Sequence, residues 1–502
     1  MKKNTWYTSI SIVLLIVVIF AGMASGVHAT EAGSAPSGSL YPQSGHFTVQ
    51  DGSAESKARF WNIPSAMVVD REGNVYIGGS SEPLGAYSSF LVVKYSASGK
   101  FLWARKYGGA GDWYDHIVSM ALDNRNNLYV VGYVYPKGRL LPILALIKYD
   151  TNGRRMWARK YYRGKGWKTT GEGIALDRLG NIFVVGSCFR NQRGSLLGIY
   201  DMVTIKYDSR GMRHWVRIDE ESGSSGGGGG PVIVTDGNGN AYVCGMNTKL
   251  EEGKMHGCGY CTRKIDSTGY LQWARTIYVD RAHAISGLTS ISMDGEGNIY
   301  VAGEAEMSSD PYGLTTHTTV KYNSNGDQLW IGQRKSITWD DSATQHIVRH
   351  DPYGNVYTTY GKLIWIDETP SGKDVTLKYN QNGELLWHRS GMYEEGLQSY
   401  PFDMTVDQRG NVYVTGCGTA AVDEGKYAIV STVKYDSDGN LLWKKDYGTK
   451  EFVSYGKCIK SDRKGHIYVA ALADSADGAN CAFVILKYDA DGKELWARRF
   501  DR

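Results

Sequence analysis

The sequence predicts an all-β fold, an eight-bladed β-propeller of four-stranded antiparallel blades, and three observations predict it. The chain is 502 residues long, beyond the ~300 residues at which a single core stops growing unless units stack side by side. Its 62 Gly, 35 Tyr and 14 Trp against 11 Pro make a turn-rich, aromatic-rich composition, and no window past the N-terminus sustains a helical period. The phrase D-x-x-G-N-x-Y, with single-residue departures, recurs eight times, starting at Asp70, Asp123, Asp177, Asp236, Asp294, Asp351, Asp407 and Asp462.

Each copy is followed by a second phrase, K-Y-D-x-x-G-x-x-x-W, as in "KYDSDGNLLW" and "KYDADGKELW". Its lysine falls at 94, 148, 206, 264, 321, 378, 434 and 487, at intervals of 53 to 58 residues. That period is long for a helical solenoid and suits a four-stranded blade. In one unit, "FDMTVD" reads as strand A and the D-x-x-G-N bend returns the chain into strand B, "NVYVTG", with alternating side chains. A longer connection leads to strand C, "STVKYD", and a second short bend to strand D, "LLWKKDY". Such sheets cannot bury both faces alone, so they stack, and closing the stack into a ring protects their edges.

In both bends Asp accepts backbone N–H groups and Gly takes the left-handed conformation that closes a bulged hairpin. In "DNRNNLY" an asparagine, expected at Asn127, takes the glycine's place, since Asn tolerates positive φ. Residues present once per unit sit at symmetry-related positions, whereas chemistry on a small molecule needs different groups converging on one point. The eight turn aspartates therefore read as structural. So do the tryptophans, expected to wedge between adjoining sheets, and the lysines, whose stems pack alongside while the charge reaches water.

Lys2 and Lys3, the apolar run from Ile10 to Met23 and the small residues Val27 and Ala29 read as an export signal over residues 1–29. Residues 30–44, "TEAGSAPSGSLYPQS", read as a flexible spacer, and 45–502 as the eight repeats. "GHFTVQ" at 45–50 resembles an extra D strand, so either chain end could fasten the ring. Lys2 and Lys3 are the only charged residues up to Ala29, so their removal lowers the formal net charge from +4 by two, to +2. The remaining basic residues are dispersed, which argues against nucleic acid or anionic lipid as partner. No second apolar stretch predicts a membrane span, and the expected location is secreted, periplasmic or cell-surface. Seven cysteines are an odd number without the spacing of a stapled scaffold.

"GNVYVTG" followed by "TVKYDSDGNLLW" resembles the bacterial SBBP, or seven-bladed beta-propeller, repeat, and the resemblance covers nearly the whole chain after the signal. It implies an exported propeller, often of cell-surface or extracellular proteins, with no shared catalytic residues. The family name says seven; eight copies are countable here. "KYDADGKELW" also looks like the tryptophan-docking repeat of quinoprotein dehydrogenases. The Asp-to-Gly spacing is three rather than four, however, and no adjacent Cys-Cys accompanies it, so no cofactor is expected.

Both bends of each unit are short, and they share one face of the ring. All length variation falls in the D-to-A and B-to-C connections on the other face, where binding sites are usually built. Aromatic and acidic residues gather there: Trp113 and Asp115, Trp167, Trp339 and Asp341, Trp365, Tyr393 and Glu395. They could stack on a sugar ring and bond its hydroxyls, or merely roof the blades. The expected partner is a protein or glycan in the cell envelope or outside the cell. The enzymatic alternative is a polysaccharide lyase or glycoside hydrolase using pairs such as Asp112/Asp115, Asp340/Asp341 or Glu394/Glu395, for which sequence adjacency says nothing about the ~5–9 Å separation hydrolysis needs. In the fourth unit the B-to-C hairpin holds Cys244, His256, Cys258 and Cys261. Its register is expected to bring Cys244 near Cys261, so a disulfide within the Cys244/Cys258/Cys261 trio is the first reading and a thiolate–imidazole metal site using all four the second.

Overall fold

A computed structural model describes residues 60–501 apart from the connections 84–86, 109–113, 191–198, 221–229, 252–253, 280–287, 307–314, 336–345, 367–368, 391–398, 423–424, 449–451 and 476–480. The export signal, the spacer and "GHFTVQ" lie outside the described residues. The described chain forms 32 strands, four per repeat. In the seventh repeat they are Ser399–Val406, Val412–Val422, Gly425–Tyr435 and Leu441–Tyr447, hydrogen-bonded antiparallel in the order A-B-C-D. Six repeats are separate four-stranded sheets. The first and eighth join into one sheet through a single parallel bridge, Trp61 to Cys481. Each A strand packs against the A strand of the next repeat, and that of the eighth (Phe452–Ser461) against that of the first (Phe60–Val69). The A strands thus form an inner ring of eight. Among the described residues both terminal blades are complete and sequence-contiguous.

The repeated aspartate holds the A–B bend. In all eight copies its Oδ1 accepts the backbone N–H four residues on, at 2.8–3.0 Å. Asp407 Oδ2 then accepts the Asn411 amide and the Tyr413 hydroxyl, which accounts for the Asn and Tyr of the phrase. Where Asn is missing, His466 Nδ1 takes its place on Asp462. In "DNRNNLY" the left-handed residue is Asn126, at φ +59°, not the expected Asn127. Asn127 instead fills the amide role, its Nδ2 on Asp123 Oδ2 at 2.8 Å.

The second phrase joins neighbouring blades. Each D-strand Trp donates its indole N–H, at 3.0–3.4 Å, to one carbonyl in the next blade's C–D bend. The C-strand Lys donates to that same carbonyl at 2.7–3.2 Å. The ammonium also lies 4.5–5.4 Å from the centroid of a Tyr or Phe ring on its own B strand. The expectation that these lysines reach water is therefore wrong. Lys94, Lys378 and Lys487 are buried, and burial holds their pKa values below the ordinary lysine value. The bend glycine lies against the indole, so a Cβ at Gly326 would meet Trp273 at 2.6 Å, and φ is +84° there. The phrase K-Y-D-x-x-G-x-x-x-W is an inter-blade clasp.

Candidate functional site

The hairpin face, where the A–B and C–D bends lie, carries two cavities. One of about 680 Å³ is lined by the A strands and bends of the third to fifth blades, including Asp177, Asp236 and Asp294, and by Arg349 of the sixth. One of about 510 Å³ lies beside it around Asp294, Asp351 and Asp407. Their carboxylates are already taken up by the bends. Asp294, for example, accepts Glu296 N, Asn298 N, the Asn298 amide and the Tyr300 hydroxyl.

On the inner ring the symmetry breaks at one position. Six A strands carry a β-bulge, and the extra residues are Ser65, Val118, Glu172, Thr289, Phe402 and Lys457. Each stands five residues before its turn aspartate, where the other two repeats have Pro231 and His346. The position three residues before the same aspartate is apolar in every repeat. A bulge re-aims a side chain and often sits near functional sites. This signal was present in the aligned repeats and was missed by sequence reasoning, which looked only at the connections.

The charged groups of the ring are held firmly. Glu172 accepts Thr170 Oγ1 at 2.7 Å and Ser187 Oγ at 3.0 Å. Burial raises its pKa above the usual carboxylate range, only partly offset by those donors. Lys457 lies 4.2 Å from the Phe402 ring centroid, and burial lowers its pKa. Asp403 accepts Arg349 at 3.0 Å, Lys460 at 2.8 Å and the Ile459 N–H at 3.0 Å. Burial pushes its pKa up, but the two cations and the N–H outweigh that and hold it below the usual range. Asp403→Asn, which leaves two partly solvent-exposed cations without their counter-charge, is expected to cost about 1–3 kcal/mol; a chemical-denaturation midpoint measures it.

On the opposite face, Asp115 and Trp167 are not the solvent-offered groups the sequence suggested. Asp115 is 1% exposed and accepts the Tyr135 N–H at 2.7 Å. Trp167 is 8% exposed, with the Arg163 and Arg190 guanidinium groups 4.0 and 4.7 Å from its ring centroid. Arg163 in turn pairs with Asp201. Stacking against cations and the core removes the indole from water. Trp113, Trp339, Asp341, Tyr393 and Glu395, with Asp112, Asp340 and Glu394, lie outside the described residues. Trp365 falls in the strand Val356–Ile366, opposite Pro370, and its side chain is outside the description. What is exposed on this face is a different set: Tyr87 and Tyr114, packed edge to face at 6.3 Å, and Tyr162 under the Arg139 guanidinium.

The cysteine register differs from expectation by one residue. Cys244 pairs with Thr262 and Cys261 with Gly245, so the two side chains lie on opposite faces of the sheet, and both are free thiols. Cys258 pairs with Thr248, four residues along from Thr262, or roughly 13 Å at strand spacing. A disulfide needs Cα atoms within about 7 Å, so the backbone does not bring the trio into bonding pairs. The side chains of His256 and Cys258 are outside the description. Among the described residues no group of three His, Cys, Asp or Glu side chains could hold a metal ion. The thiols of Cys244, Cys417 and Cys458 are buried and pushed up to about 12, which makes them inert packing.

No curated protein matches the chain. Among solved structures it is similar to a eukaryotic initiation factor, at 8% identity and TM-score 0.40, covering 89% of this chain and 97% of that one. An ulvan lyase of a new polysaccharide lyase family is similar at 12% and 0.44, covering 88% and 96%. So is the WD40 domain of SCAP from fission yeast, at 10% and 0.42, covering 84% and 99%. At such TM-scores the architecture stands on its own strands: four per repeat, eight inner strands in contact, and one clasp across every seam. The SBBP model, described as a beta-propeller repeat, matches residues 163–187, the A strand and the start of the B strand of the third blade. Those residues match an SBBP beta-propeller repeat and are set in an eight-bladed β-propeller.

Proposed function

We propose that this protein is a non-enzymatic binding or scaffold module that holds a macromolecule or glycan on the face formed by its D-to-A and B-to-C connections. One observation carries the reading: the recurrent Asp, Lys and Trp side chains are engaged within the bends or across the seams, so that recognition falls to the side chains that differ from blade to blade. The exposed Tyr87, Tyr114 and Tyr162 on that face support it, since an exposed ring offers a flat apolar surface with a polar rim. The Lys-flanked apolar pattern of residues 1–29 supports export, and with it a partner in the envelope or outside the cell.

The test is a glycan array and a pull-down from envelope extract, run beside an assay of reducing-sugar and unsaturated-product release. Binding that Tyr87→Ala/Tyr114→Ala weakens, without product, is the expected outcome. Turnover of a polysaccharide, or binding indifferent to every change on this face, would overturn the reading.

A further inference from the structure

A cleft of about 380 Å³ lies at the seam between the first and second blades, toward the face with the longer connections. Its volume is in the lower part of the ~300–1,000 Å³ range of small-ligand sites. Lys106, Arg155 and Lys160 line it, with Tyr107, Asp115 and Tyr135. Lys106 and Lys160 stand near the ends of two neighbouring D strands, Phe101–Gly108 and Arg155–Tyr161.

The wall is built rather than incidental. Gly108 has φ +92° and no Cβ, which lets the first D strand press against the Asp115 carboxylate; a Cβ there would meet Oδ2 at 1.9 Å. Asp115 Oδ1 accepts the Tyr135 N–H, and the Asp115 carbonyl accepts Ser88 Oγ at 2.7 Å. Among the described residues the one negative charge of the lining is therefore drawn into the wall, at 1% exposure, while Lys160 and Arg155 stand exposed. The Arg155 guanidinium lies 5.2 Å from the Tyr107 ring, and partial burial lowers the Lys106 pKa. Lys106 pairs with Leu91, on the face turned toward the eighth blade, so among the described residues Arg155 and Lys160 are the cations on the seam. Two cations against one enclosed carboxylate favour an anionic ligand. The Tyr87–Tyr114 pair, one residue from Ser88 and Asp115, adds ring faces of the kind that stack on sugars.

We infer that this cleft receives the acidic group, carboxylate or sulfate, of an anionic glycan. The inference rests on the binding role proposed for this face and names the chemistry it recognises. Arg155 and Lys160 pair with the acid group, and the adjacent tyrosines cover a neighbouring sugar unit.

The test titrates polygalacturonate, dextran sulfate, neutral dextran and polyglutamate into the full chain by calorimetry, at low and at moderate salt. At least one acidic polysaccharide is expected to bind, more weakly as salt rises, and at least ten-fold more weakly to Arg155→Gln/Lys160→Gln. Which of the two binds tells carboxylate from sulfate. Lys160→Gln alone, a change at an exposed side chain, is expected to give several-fold weakening and keeps the test valid should the double variant misfold. The inference is overturned if dextran or polyglutamate binds as tightly, if neither acidic polysaccharide binds, or if the variants bind undiminished. An envelope partner still captured by Arg155→Gln/Lys160→Gln would overturn this cleft as the site while leaving the binding role of the face in place.

Discussion

Replacing Trp496 with alanine is expected to destabilise the ring by about 3–5 kcal/mol, the range for emptying a buried aromatic site. Trp496 belongs to the last blade and is 8% exposed. Its indole covers Gly99 of the first blade, where a Cβ would meet the ring at 2.8 Å, and its N–H donates to the Ala97 carbonyl at 3.1 Å. Lys487 and Arg498 reach the same bend, on Ala97 and Gly99. Seven seams are also crossed by the chain itself; this one is closed without it. The substitution leaves a void and a less supported carbonyl at the one seam, among the described residues, that the backbone does not cross. A guanidinium midpoint and a limited-proteolysis time course measure the effect, and a change under ~0.5 kcal/mol would mean that the clasp does not close the ring.

Acid is expected to weaken the protein steeply below pH 6.5. His317, on the C strand of the fifth blade, shares a hydrogen bond with His346, on the A strand of the sixth, through their Nδ1 atoms. Thr358 Oγ1 and Thr319 Oγ1 lie 3.0 and 3.2 Å from His317 Nε2, and Tyr360 stacks on the His317 ring at 4.2 Å. An Nδ1–Nδ1 bond holds one proton, so a second sets two N–H groups against each other. Burial lowers the His346 pKa to about 3 and, with repulsion from His346, lowers that of His317 well below 6.5. The unfolded chain then binds more protons than the folded one below pH 6.5. Stability is full above that pH and falls as pH drops, by about 2 kcal/mol per histidine at pH 5. His116, lowered by burial to about 4, adds to the same slope. Unfolding midpoints at pH 7 and pH 5 test this, and His346→Gln is expected to shrink the difference between them; a flat profile would refute it.

Much of the fold was legible because each blade repeats the same local chemistry. The bend aspartate answers to donors two to six residues away, so D-x-x-G-N-x-Y contains its own explanation. The lysine does not. Its acceptor is a carbonyl about 57 residues later, as from Lys94 to Thr151, and nothing near Lys94 in sequence says that the charge stays inside. Bulges caused the other misses. One extra residue before each turn aspartate is invisible to a strict alternation, yet it puts Glu172 and Lys457 on the inner strands. The Cys244–Cys261 expectation failed for a related reason: a one-residue register difference transfers a side chain to the other face of the sheet. Trp167 and Asp115 were read as exposed because they lie beside loops, but Arg163, Arg190 and the Tyr135 N–H enclose them.

Hydrogen exchange by mass spectrometry, with and without bound acidic polysaccharide or captured partner, tests the central claim most directly. The account predicts protection in the connections between blades and in the longer hairpins, centred on Gly108–Tyr135, with the short bends unchanged. Protection centred instead on the bends of Asp177, Asp236 and Asp294, around the larger cavity, would contradict it.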